Sequence, residues 1–103
     1  MIRAIFEKKD NCFVSIDMTG HAGFADYGKD IVCAAASSAL MTVLNGITEC
    51  AGIDGEVTVD DNRVFFKTSP SQQAHLFLDA LRLQLCNIEE QYRGTVKVII
   101  TEV

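Results

Sequence analysis

The chain has 103 residues, 49% of them hydrophobic and 8% aromatic, with one proline and no low-complexity tract, which suits one domain over residues 1–103 and leaves no room for two. Its formal net charge of −5, from 14 acidic and 9 basic residues without a basic cluster, argues against avid binding of a nucleic-acid backbone and is compatible with attraction of a basic partner. The four cysteines, Cys12, Cys33, Cys50 and Cys86, lack the dense spacing of a disulfide scaffold, no C-x-x-C or H-x-x-x-H pair offers a structural zinc site, and no apolar run is read as approaching the ~20 residues of a membrane helix.

The first residues, Met1-Ile2-Arg3-Ala4-Ile5-Phe6-Glu7, put charges where a signal peptide would put its apolar stretch, so a cytoplasmic protein with reduced thiols is expected. Ile2, Ala4 and Phe6 alternate with Arg3, Ile5 and Glu7, and after Lys9-Asp10-Asn11 the alternation returns in Val14, Ile16 and Met18, which predicts a β-hairpin. Gly20 to Asp30 holds three glycines, Gly20, Gly23 and Gly28, and no period; it reads as a mobile loop of the kind that more often serves function than packing.

From Ile31 to about Ala51 the positions Val32, Ala36, Ala39, Leu40, Val43 and Ile47 keep helical spacing, with Asp30 as N-cap and Gly52 as the stop. Val57 and Val59, then Val64 and Phe66, flank Asp60-Asp61-Asn62 as a second hairpin, with Phe65 on the other face. A second helix is predicted from Ser69 as N-cap, Pro70 at the first helical position and Gln72 completing a capping box, with Leu76, Phe77, Ala80, Leu81, Ile88 and Tyr92 as its apolar face and Gly94 as its end. Val96, Val98 and Ile100 form a last strand. The order β-β-α-β-β-α-β implies an α+β fold, a mixed sheet with two helices packed on one face.

Cys33 is the informative thiol. With Asp30 as N-cap it falls in the first helical turn, near unpaired N–H groups and the positive end of the dipole, a setting that favours thiolate. The other reading is a small core residue, which is how Cys12, Cys50 and Cys86 are taken. His21 lies twelve residues earlier, and Gly23 and Gly28 let the chain fold back so that its imidazole can serve the sulfur as a base; a solvated loop histidine is the alternative, and His75 is read as solvated. Asp30 is first a cap and second a candidate to orient His21, while Phe24 and Tyr27 are loop anchors or substrate-contacting rings. The backbone N–H groups of Cys33 and Ala34 are candidate oxyanion donors. The small residues from Cys33 to Ala39 form a seam for close packing, within the chain or between subunits.

The run Gly20-His21-Ala22-Gly23, then Gly28, then Asp30-Ile31-Val32-Cys33-Ala34-Ala35 with Ser37 closely resembles the signature of the ribosomal-processing cysteine protease family, Prp. The resemblance implies that His21 and Cys33 are the catalytic pair and that Asp30 and Ser37 are the signature's supporting aspartate and serine; Ala36 stands where the family often has a larger residue. It further implies a homodimer; a Cys-His mechanism needs no metal or cofactor, and the charge and hydropathy of the chain lead us to expect no direct contact with nucleic acid or membrane. Its substrate would be the precursor of a large-subunit ribosomal protein, number twenty-seven in the L series, from which it removes a short apolar N-terminal extension that ends in aromatic residues. Two readings from other classes compete: a thiol redox protein, disfavoured because no cysteine near Cys33 in sequence offers a resolving thiol, and a non-catalytic ribosome-associated interaction domain.

Overall fold

A computed structural model describes residues 1–20, 23 and 30–103. The first hairpin joins β1 (Ile2–Lys9) to β2 (Cys12–Thr19) through Asp10 and Asn11, whose φ values of 54° and 63° are both left-handed and match the twist of a two-residue turn. Ile2, Ala4 and Phe6 of β1 and Ile16 and Met18 of β2 are buried on one face, as the alternation requires. A bulge at Glu7/Lys8 interrupts that register.

Helix α1 (Ile31–Asn45) follows and continues into a π-helical turn, Gly46–Cys50. The second hairpin, β3 (Gly55–Asp60) and β4 (Arg63–Thr68), precedes α2 (Gln72–Gln91) and β5 (Val96–Glu102). The sheet order is β3-β4-β2-β1-β5; only the β1–β5 pair is parallel, with α2 on the way to the crossover strand. Both helices pack on the sheet, as the element order implied. Phe6, Phe13, Ile16 and Phe66 from the strands meet Val32, Ala36 and Leu40 of α1 and Leu78, Leu81 and Leu85 of α2 in one core.

Three expectations need correction. The cap of α2 is Ser71, not Ser69: its hydroxyl accepts the N–H of Ala74 at 3.3 Å, so Pro70 precedes the cap and no glutamine sits at the third helical position. The buried stripe of α2 is Ala74, Leu78, Leu81, Leu85 and Ile88, whereas Leu76 and Ala80, expected inside, are exposed. The run Ile31–Cys50 is 20 residues long and, by length and composition, apolar enough to cross a membrane; here it lies against α2 and supplies the core.

Candidate active site

Asp30 sets the geometry at the start of α1. Its backbone is extended (φ −79°, ψ 100°), and its carboxylate Oδ1 accepts the N–H groups of Val32 and Cys33, each at 3.0 Å. Its carbonyl accepts the N–H of Ala34 at 3.1 Å, the first intrahelical bond. Cys33 is thereby the third residue of the helix, half-buried, with its side chain in the turn where the helix dipole favours negative charge.

A cleft of about 590 Å³ opens over that turn. One wall is α1: Asp30, Cys33, Ala34 and Ser37 lie three or four residues apart and so share a face. The floor comes from strand ends, Ile2, Met18, Thr19 and Val64, and the far rim is the β3–β4 turn from Asp60 to Arg63. The strand ends close up because Gly20 donates its N–H to the Asn62 carbonyl at 3.3 Å and passes beside Met1. A Cβ at Gly20 would stand 2.4 Å from the Met1 carbonyl oxygen, and its φ of +90° disfavours side chains as well, so glycine is required. The acidic rim is partly neutralised by Arg63, which is itself committed to Asp17 by two bonds of 2.8 Å.

The structure therefore gathers Gly20, Gly23, Asp30, Cys33, Ala34 and Ser37 around one cleft. His21, Phe24, Tyr27 and Gly28, for which catalytic, contact and loop roles are expected, lie outside the described residues. Of the oxyanion candidates, the N–H of Cys33 is given to the Asp30 carboxylate and that of Ala34 to the Asp30 carbonyl, so both are engaged in this arrangement. Cys12 is buried as read, Cys86 is half-buried and Cys50 is exposed rather than in the core; among the described residues, none of the three lines the cleft beside Cys33. Sequence reasoning missed the contribution of Ile2, Met18, Val64 and the Asp60–Arg63 rim. They come from four strands, β1 to β4, and only strand pairing brings them together.

The model of the cysteine protease Prp family matches residues 1–97 of this chain. The ribosomal processing cysteine protease Prp of Bacillus subtilis is 29% identical over 107 aligned positions, covering 95% of this chain and 96% of the relative. That of Staphylococcus aureus is 33% identical over 85 positions, covering 79% and 80%. Among solved structures, the Prp protease of S. aureus in complex with a covalently linked product peptide superposes with a TM-score of 0.90 at 28% identity, covering 97% of this chain and 99% of that one.

Proposed function

The chain belongs to the cysteine protease Prp family, and on that footing we propose an endopeptidase in which Cys33 is the nucleophile and His21 the general base. Its substrate is the precursor of large-subunit ribosomal protein number twenty-seven of the L series, from which it removes a short N-terminal extension. The observation that carries this reading is the position of Cys33, in the first turn of a helix and at the wall of a cleft of about 590 Å³. The relatives are ribosomal processing proteases, one of them with a covalently linked product peptide, and this supports the substrate class.

In the proposed reaction His21 takes the thiol proton of Cys33, and the thiolate adds to the scissile carbonyl. Collapse of the adduct breaks the C–N bond while His21 returns the proton to the leaving amine. Water, deprotonated by His21, then hydrolyses the thioester and restores the thiol. Asp30 supports the pair by fixing the helix start. Ser37, exposed one turn further along the same face, offers a hydroxyl to the reacting carbonyl.

Assembly as a homodimer is part of the proposal, with the helices as interface. Helix α1 carries no charged residue in 15, and Ile31 and Met41 are 56% and 43% exposed on it; on α2, Leu76 and Leu83 are 66% and 55% exposed. The enzyme acts in the cytoplasm, where ribosomes mature, and on the protein precursor rather than on RNA. The test is incubation of the purified protein with a peptide copying the precursor junction, followed by mass spectrometry. Cleavage that is abolished by Cys33→Ala and retained in folded Cys12→Ser, Cys50→Ser and Cys86→Ser variants is expected. Cleavage by the Cys33→Ala protein would end the assignment.

A further inference from the structure

The helices do not cover the whole sheet. Val57 pairs with Phe66 and Val59 with Val64, so all four project from the face on which α1 and α2 lie. Phe66 is fully buried there and Val64 half-buried, yet Val57 and Val59 on the edge strand are 47% and 64% exposed. The opposite face of β3 carries Glu56, Thr58 and Asp60, as a solvated face should. A strand that met only water on both faces would gain strand propensity but no burial from valine at alternate positions on one of them. The pattern is that of a half-buried strand, and among the described residues neither helix buries these two valines.

This apolar ledge is continuous with the cleft. Val64, the neighbour of Val59 in the ladder, lines the cleft with Ala34 and Ser37 of α1, and Asp60, the residue after Val59, stands on its rim. Val59 thus stands beside a residue of the cleft on the same face of the sheet, and Val57 lies one pair further out along β3. We infer that this ledge seats the apolar side chains of an extended peptide whose scissile bond lies at Cys33, and that Val57 and Val59 are specificity-determining residues. The inference takes its occupant from the protease reading. The match is one of period: an extended chain shows alternate side chains to one face, as β3 does, so apolar residues two apart in the peptide meet valines two apart in the strand.

The test is binding, read by fluorescence anisotropy, of a short labelled peptide of alternating phenylalanine and serine and of its all-serine counterpart to the Cys33→Ala protein with and without Val57→Thr and Val59→Thr. Threonine keeps the branched shape and strand preference of valine, and both positions are exposed, so the fold is retained; circular dichroism checks it. The double substitution is expected to weaken binding of the phenylalanine peptide by about tenfold, with little change for the all-serine peptide. Equal binding of the phenylalanine peptide with and without the substitutions would overturn the inference. So would conversion of a dimer to monomers by the double substitution at unchanged peptide affinity, which would give the ledge to a second copy. If the protein with Cys33 intact binds the phenylalanine peptide through the valines but leaves a peptide copying the precursor junction uncut, the protease reading fails while the role of the ledge in binding is upheld.

Discussion

The carboxylate of Asp30 accepts the backbone N–H of Cys33 at 3.0 Å, so the residue that starts the helix also fixes the backbone of the proposed nucleophile. Replacing Asp30 tests the two halves of that role separately. Asp30→Ala removes the acceptor for the N–H groups of both Val32 and Cys33 and should cost about 1 kcal/mol, or a fall in melting temperature of about 4–8 °C for a domain of this size. Asp30→Asn keeps a side-chain oxygen there and should melt within about 2 °C of the parent. If the charge supports His21 and Cys33, the asparagine variant loses kcat without losing stability. Thermal melts and peptide cleavage on both variants distinguish a cap from a supporting carboxylate.

What the sequence made legible follows physical locality. Asp30 was readable as a cap because one acidic residue stands before a long uncharged apolar run. The first hairpin was readable because Asp10 and Asn11 separate two alternating stretches. The start of α2 was ambiguous for an equally local reason: Ser69 and Ser71 flank Pro70, and both are good caps. Tertiary structure decides between them. Thr68 is held in β4, its hydroxyl donating to the Asp54 carbonyl at 2.7 Å, and the helix begins at Gln72 with Ser71 as its cap. The face of α2 was misread because Leu76, Ala80 and Leu83 make a second apolar stripe beside the buried one, and periodicity alone does not rank two stripes. The cleft floor was illegible, since no local pattern pairs Met18 with Val64.

The exposed stripe on α2 and the uncharged face of α1 lead to a prediction about assembly. If the helical faces join two copies, Leu76→Glu with Leu83→Glu, or Met41→Glu, should shift sedimentation from dimer toward monomer at micromolar concentration. Each residue is solvent-exposed in the single chain, so fold and melting of the monomer should survive. A parent protein that sediments only as monomer across that range would remove the dimer from the proposed function.

Acid stability should report on Glu89. Its carboxylate accepts the N–H of Gly94 at 3.1 Å and that of Val96 at 3.3 Å, tying the end of α2 to the start of β5. These backbone bonds, Gly94 foremost, lower its pKa from the ordinary carboxylate value. The folded state therefore binds this proton less readily than the unfolded state. The stabilisation is fully present above the unfolded pKa and is lost as pH falls through the lower, folded one. Glu89→Gln should flatten the acid limb of a stability-versus-pH curve below the normal glutamate range. An unchanged acid limb would show that the bonds to Gly94 and Val96 carry no such linkage.

Sequence alone leaves His75 solvated, and the structure gives it a partner instead. Its Nδ1 accepts the backbone N–H of Phe13 at 2.9 Å, and its ring stacks on that of Phe13 with centroids 5.2 Å apart. An acceptor nitrogen carries no proton, so the ring is held with its hydrogen on Nε2. The bond matters because Phe13 follows the turn at the bulge where β1 and β2 slip register. His75→Ala would leave that N–H without an acceptor beside a buried phenylalanine, at a cost of about 1–3 kcal/mol. Asparagine carries its side-chain oxygen about where Nδ1 stands, so His75→Asn should recover the hydrogen bond and forfeit only the stacking. Amide exchange at Phe13 separates the two contributions: fast in the alanine variant, slowed again in the asparagine variant, with melting temperatures in the same order. Equal exchange in all three proteins would mean that the ladder, rather than His75, protects the bulge. Because the bulge lies at the other end of β1 from Ile2 and the cleft, peptide cleavage by folded variants should be unchanged throughout.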